Sequence, residues 1–125
     1  MFTAAAVACL TINAYHEARG EGAEGIHAVT HVALNRVASP RWPDDPCSVV
    51  YDPYAFSWTI EDDLPVDEET LLDVQEHVID AIMLPDSTYG ATHYHADYVS
   101  PYWAEIYPIT LVVANHIFYK APKGM

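Results

Sequence analysis

Positive charge is what this chain lacks most. Five Lys and Arg residues stand against 18 Asp and Glu, which leaves a net charge of −13 over 125 residues. A surface of that sign repels phosphate backbones and excludes nucleic-acid binding through phosphate contacts. It equally disfavours docking on an anionic membrane by charge. Cysteine is nearly as scarce. Cys9 and Cys47 are too few to make a zinc site alone and do not form a C-x-x-C pair. Two separate buried thiols are the expected state, with a Cys9–Cys47 bridge as the alternative that only geometry can decide. No apolar run reaches the roughly 18 residues of a membrane span. The apolar start, Met1 to Ile12, has no basic n-region and runs into a patterned helix, so it is not read as a signal peptide. Phosphate-loop glycine spacing is absent around Gly20, and Ser39, Ser57 and Ser100 lack the context of a nucleophile elbow.

An apolar fraction of 51% remains, enough for one compact domain with one core. Thr3 to Ala18 predicts a helix with Val7, Leu10 and Ile12 on its buried side and Gly20 as its stop. Glu24 to Val37 predicts a second, with Ile26, Val29, Ala33 and Val37 at helical spacing. Pro40 and Pro43 close it. Cys47 to Tyr51 reads as a short helix or an extended piece. Asp67 is placed to N-cap a helix over 68–84, carrying Leu71, Leu72, Val74, Val78, Ile79 and Ile82 inward and Asp73, Glu76 and Asp80 outward. From Ala91 the character changes to β-formers, with strands expected near 91–95, 110–114 and 116–120. Helices first and a small antiparallel sheet last make an α+β fold.

Three groups of residues can carry chemistry. The first is His16-Glu17-Ala18-Arg19-Gly20-Glu21. Glu17 falls in the last turn of a helix, where the negative end of the dipole disfavours its charged form. A carboxyl held protonated is what a general acid needs, although a salt-bridged helix terminus would look the same in sequence. The second is Thr92-His93-Tyr94-His95. On a strand, His93 and His95 share one face and Thr92 and Tyr94 the other. The two histidines offer a metal two ligands, with His16 or His116 as a third, or they form a polar aromatic wall. No H-E-x-x-H pattern accompanies them, and no metal or other cofactor is expected. The third is aromatic: Tyr15, Phe56, Trp58, Tyr94, Tyr102, Trp103 and Tyr119, suited to sugar rings or to core filling.

Tyr15-His16-Glu17-Ala18-Arg19-Gly20-Glu21, Gly25 and Ala28-Val29-Thr30-His31-Val32-Ala33-Leu34-Asn35-Arg36-Val37 resemble the SleB/CwlJ-type cell wall hydrolases. That group includes spore-cortex-lytic enzymes and many bacteriophage endolysins. The resemblance continues, in order, through Pro43, 47–51, Phe56-Ser57-Trp58, 91–95, Pro101-Tyr102-Trp103 and 116–119. It implies a lysozyme-like α+β fold; the residues 1–125 read as a single catalytic domain, which departs from the family pattern in lacking the wall-binding repeats often attached to such enzymes. It also implies cleavage of peptidoglycan glycan strands at the MurNAc–GlcNAc bond, with Glu17 as the catalytic residue. The activity it implies is lytic transglycosylation, giving 1,6-anhydro ends. Tyr15, Arg19, Glu21, Phe56, Ser57, Thr92, His93, Tyr94, His95 and Trp103 are the substrate-binding candidates. A hydrolytic muramidase would use a second carboxylate, for which Glu21 and Asp97 are available. A His-based metal amidase and a non-catalytic wall-binding module are the remaining alternatives. The expected partner is the glycan strand, with no nucleic acid and no membrane. The expected state is a monomer, cytoplasmic until released to the wall, as in phage lysis.

Overall fold

The computed structural model describes residues 2–52 and 65–122. Phe56, Ser57 and Trp58 lie outside the described residues. Among the described residues, four helices come first: α1 (Ala4–Ala18), α2 (Gly22–Ala38), α3 (Pro46–Val50) and α4 (Glu68–Met83). Three strands follow, β1 (His93–Ala96), β2 (Ile109–Val113) and β3 (His116–Tyr119), with a 3-10 turn at Tyr102–Glu105 between the first two. All pairings are antiparallel and the order is β1-β3-β2. The α+β expectation therefore holds.

The helix starts are set by side chains that accept orphan backbone N–H groups. Thr3 accepts from Ala6 at 3.1 Å, Asp45 from Ser48 at 2.9 Å and Asp67 from Thr70 at 3.0 Å. Asp45 with Pro46 behind it makes the 47–51 segment a helix rather than an extended piece. α1 ends at Ala18 as expected, and the chain turns through Arg19 and Gly20, but Gly20 does not supply the left-handed residue. Arg19 caps α1 in the right-handed region, and the left-handed φ of +74° falls on Gly22, where α2 begins two residues earlier than its apolar pattern suggests. Gly25 is needed for another reason: a Cβ there would sit 2.7 Å from the Cβ of Glu21. β2 and β3 are joined through Ala114, at φ +49°, and Asn115.

The core lies where α1, α2 and α4 meet the inner face of the sheet. Leu10, Ala14, Tyr15, Ile26, Val29, Val32, Val49, Val74, Val78 and Phe118 are its buried members. Two expectations need correction. In α1, Val7 and Ile12 are only half-buried, and Ala6, Leu10, Ala14 and Ala18 form the inward stripe. In α4, Leu72 and Ile79 are exposed, at 63% and 47%. The buried stripe there runs through Leu71, Val74, Val78, Ala81 and Ile82. Leu72 and Ile79 lie one position off it, so one face of α4 has apolar residues beyond what its neighbours cover.

The cysteines also correct the sequence reading. Cys9 and Cys47 form a disulfide that ties α1 to α3, with 5.2 Å between their Cα atoms, inside the usual range. Free thiols were expected from the burial habit of unpaired Cys, and a separation of 38 residues says nothing about distance. The packing of α3 along α1 brings the two together.

Candidate active site

Glu17 opens onto a cleft of about 780 Å³, built from the end of α1, the 19–21 turn, α2, the end of β1 and the β2–β3 connection. His16, Arg19, Glu21, Arg36, Tyr94, His95, Tyr98, Asn115 and His116 border it. Burial pushes the Glu17 carboxyl above its ordinary value, and the negative charge of Glu21 adds to this. A hydrogen bond from Tyr94 and the charges of His116 and Arg36 pull the other way without reversing the shift. The direction is the one its place at the helix end suggested. The dominant cause is desolvation.

Three positioning devices hold this arrangement. The first is Arg36, 7% exposed. Its Nε donates to the Thr92 carbonyl at 2.7 Å, and its guanidinium packs 5.2 Å from the Trp42 ring centre. Burial lowers the pKa of this guanidinium below its ordinary value, and Tyr94, Asp52 and Glu17 oppose that shift. The second is the sequence around it. Asn35 Nδ2 donates to the carbonyl of Ala91 at 2.8 Å, and His31 accepts from Ser87 N–H at 3.0 Å on Nδ1 while Nε2 donates to the Ala81 carbonyl at 2.8 Å. His31, Asn35 and Arg36 recur along α2 at helical spacing and together clamp 81–92, which sets the position of β1 and so of Tyr94. The third is Glu21, whose carboxylate oxygens both lie 2.6 Å from His116 Nδ1. This contact fastens the turn after α1 to β3.

The strand alternation expected at 92–95 is present and divides the candidates. Tyr94 is turned toward Glu17, and its hydroxyl is held well above its ordinary value by burial and by the Glu17 charge. His93 is turned away. Its ring lies 5.0 Å from Trp103, 5.1 Å from Tyr107 and 5.8 Å from Trp42. Burial and the charges of Arg36 and Arg41 lower its pKa to about 4, so the ring is neutral at physiological pH. His95 accepts from the Tyr119 hydroxyl at 2.8 Å and stacks on that ring.

Of the sequence-derived binding residues, Arg19, Glu21, Tyr94 and His95 therefore border the cleft with Glu17. Thr92, His93 and Trp103 do not. Thr92 bonds His93, and His93 and Trp103 belong to an aromatic cluster. Tyr15 is 3% exposed, and its hydroxyl accepts from the Asp67 N–H at 2.8 Å, so it joins α1 to the start of α4. Phe56 and Ser57 fall outside the described residues. His93, His95 and His116 do not converge on a metal-sized site: His116 is paired with Glu21, and the two strand histidines pack on Trp103. Arg36 and Tyr98 border the cleft without having been singled out. Arg36 carried a signal, a charge on the face that also bears Val29 and Ala33. Tyr98, 84% exposed after β1, carried none.

The family model described as Cell Wall Hydrolase matches residues 20–119. The chain belongs to the cell wall hydrolase family. A spore cortex-lytic enzyme of Halalkalibacterium halodurans is 33% identical over 83% of this chain and 31% of that protein. The Bacillus subtilis spore cortex-lytic enzyme is 32% identical over 83% of this chain and 34% of its own length. The chain thus spans about a third of the curated relatives it matches. The crystal structure of the catalytic domain of Bacillus cereus SleB superposes with a TM-score of 0.82 at 29% identity, covering 96% of this chain and 93% of that one. The catalytic domain of the germination-specific lytic transglycosylase SleB from Bacillus anthracis gives 0.78 at 30% identity, covering 95% and 97%. This cell wall hydrolase domain therefore shares the lysozyme-like fold of those catalytic domains. Glu17 precedes the matched span by three residues, and its role rests on the cleft geometry.

Proposed function

We propose that this domain cleaves peptidoglycan glycan strands at the MurNAc–GlcNAc bond as a lytic transglycosylase, with Glu17 as its single acid and base. The observation that carries the reading is that Glu17 is half-buried with a raised pKa, while the other carboxylate bordering the cleft among the described residues, Glu21, is engaged by His116. Asp97 is exposed and does not border the cleft. A hydrolase of this kind ordinarily needs a second carboxylate to position water or attack the sugar. A transglycosylase does not, because the nucleophile is the substrate's own C6 hydroxyl, already held beside C1.

The steps balance on one carboxyl. Protonated Glu17 gives its proton to the glycosidic oxygen, the C1–O bond breaks, and the electron pair leaves with the GlcNAc hydroxyl. The muramic C6 oxygen then bonds to C1 and loses its proton to the Glu17 carboxylate, which restores the acid. Desolvation favours the protonated form before the first step. Tyr94 and the Arg36 and His116 charges favour the carboxylate after it. These opposed influences suit a group that must act in both directions. Arg19 and Tyr98 stand at the cleft border to meet the polar and apolar parts of the sugar.

Mass spectrometry of digested peptidoglycan tests the choice of chemistry. Muropeptides with 1,6-anhydro ends and no added water are expected; reducing ends that have gained a water would replace the proposal with a hydrolase. A second expectation concerns pH. The form of Glu17 that starts the reaction is protonated, so kcat/KM should be on its plateau below the Glu17 pKa and fall as pH rises through it. Because that pKa is raised, the alkaline limb should lie above the ordinary carboxylate range and disappear with Glu17. A limb at the usual value of about 4.3 would remove desolvation from the mechanism.

The relatives are named as spore cortex-lytic enzymes rather than phage proteins, and the glycan strand is the proposed substrate. The Cys9–Cys47 disulfide suits action outside a reducing cytosol. Among the described residues, no helix is long and apolar enough to cross a membrane. Action as a monomer on one strand, by a single catalytic domain, completes the proposal.

A further inference from the structure

Outside the cleft, α2 and α4 bring together residues that the proposed chemistry does not use. His27 projects from α2, and His77 and Asp80 project from α4. One donor atom from each lies within 4.8 Å of the other two. His77 and Asp80 are three residues apart, which puts both on one side of the helix. The two imidazole centres are 6.1 Å apart. His27 Nε2 is buried and has no hydrogen-bond partner. A buried ring nitrogen without a partner carries a desolvation cost that some ligand should offset.

The neighbouring His31, 6.3 Å from His27 between ring centres, is not in the same condition. Both of its nitrogens are occupied, by Ser87 and by the Ala81 carbonyl. It holds the loop after α4 and has no lone pair to offer. The difference between the two histidines, one turn apart on α2, singles out His27 together with the α4 pair.

We propose that His27, His77 and Asp80 form a binding site for one transition-metal ion of the Zn²⁺ class, which clips α2 to α4. Two imidazoles and one carboxylate are borderline ligands, favouring Zn²⁺, Co²⁺, Ni²⁺ or Cu²⁺ over Ca²⁺ or Mg²⁺. A tetrahedral ion with ligands at about 2.1 Å separates its donor atoms by roughly 3.4 Å. The three donors must therefore close by about an ångström, within the reach of side-chain rotation, since Asp80 is exposed and His77 half-exposed. A water would complete the fourth position. None of the three residues borders the Glu17 cleft, so the ion acts on the packing of α2 against α4 and not on the reacting sugar.

Calorimetric titration of the chelator-stripped protein with ZnCl2 tests this, alongside His77→Gln, Asp80→Asn and a CaCl2 control. One Zn²⁺ per chain is expected, with no response to Ca²⁺, and Tm should rise by about 5 °C at tenfold excess over Kd. Each variant should fold, as circular dichroism reports, and lose at least tenfold in Zn²⁺ affinity together with the Tm shift. Lytic activity without metal should be unchanged in both. Co²⁺ should give the visible absorption of a four-coordinate site in the wild type and not in His77→Gln. Absence of stoichiometric binding, or variants that bind Zn²⁺ like the wild type, would overturn the proposal, whatever the outcome for Glu17.

Discussion

Glu17→Gln should lower the rate of peptidoglycan lysis by about 10³-fold, equivalent to roughly 4 kcal/mol of transition-state stabilisation. The glutamine keeps the shape of the side chain and can accept from Tyr94, but has no proton to give to the glycosidic oxygen. Both steps of the proposed reaction pass through this carboxyl, so no other group bordering the cleft can substitute for it. The variant should not lose stability at neutral pH. Burial raises the Glu17 pKa in the folded protein, so the folded state binds that proton more tightly than the unfolded chain does. The stability this adds is fully present below the unfolded value and is lost as pH rises through the folded one. At neutral pH the wild type therefore carries the cost of a buried carboxylate, and the glutamine does not. A Tm equal to or above that of the wild type, with turbidity assays showing the loss of lysis, is the expected pair of results. A variant retaining a tenth or more of the activity would end the assignment of Glu17.

Removing the disulfide should give the largest change in stability. Closing the loop between Cys9 and Cys47, a separation of 38 residues, restricts the unfolded chain by about 4 kcal/mol on the loop-entropy relation. A Cys9→Ser/Cys47→Ser protein should therefore unfold roughly 10–15 °C earlier for a domain of this size. The bond joins α1 to α3, and neither cysteine borders the Glu17 cleft. Lysis measured well below the lowered Tm should then stay close to that of the wild type. Dithiothreitol should lower the wild-type Tm to the level of the variant and leave the variant unmoved. A wild-type Tm indifferent to the reductant would show that the two thiols are not joined in solution.

Much of the fold can be read from local patterns, and the exceptions share a cause. The cap at Asp67 and the apolar spacing in α2 act within a few residues, so they locate the start of α4 and place α2 to within two residues. In α4 the same spacing placed Leu72 and Ile79 inward, yet burial depends on how wide a stripe the neighbouring helices cover. The turn after α1 offered Gly20 and Gly22, and only the approach of Glu21 to Gly25 and the positive φ of Gly22 separate their roles. At the candidate site, Glu17 and Tyr94 were legible because a helix end and a strand alternation are local features. His93 and Trp103 shared the same residue chemistry but pack together in an aromatic cluster away from Glu17, and Thr92 is engaged by His93.

Taken alone, the amino-acid order determined the class of fold, the start of α4, the acidic character and the candidacy of Glu17, because each of these depends on composition or on neighbours within one or two turns. The tertiary structure decided the rest. It partly buried Glu17 and so supplied desolvation as the main cause of its raised pKa, engaged Glu21 with His116, and buried Arg36 at the cleft border. It also paired Cys9 with Cys47 and set His27 beside His77 and Asp80. These are contacts between residues far apart along the chain, and their distances follow from packing, which no local pattern encodes.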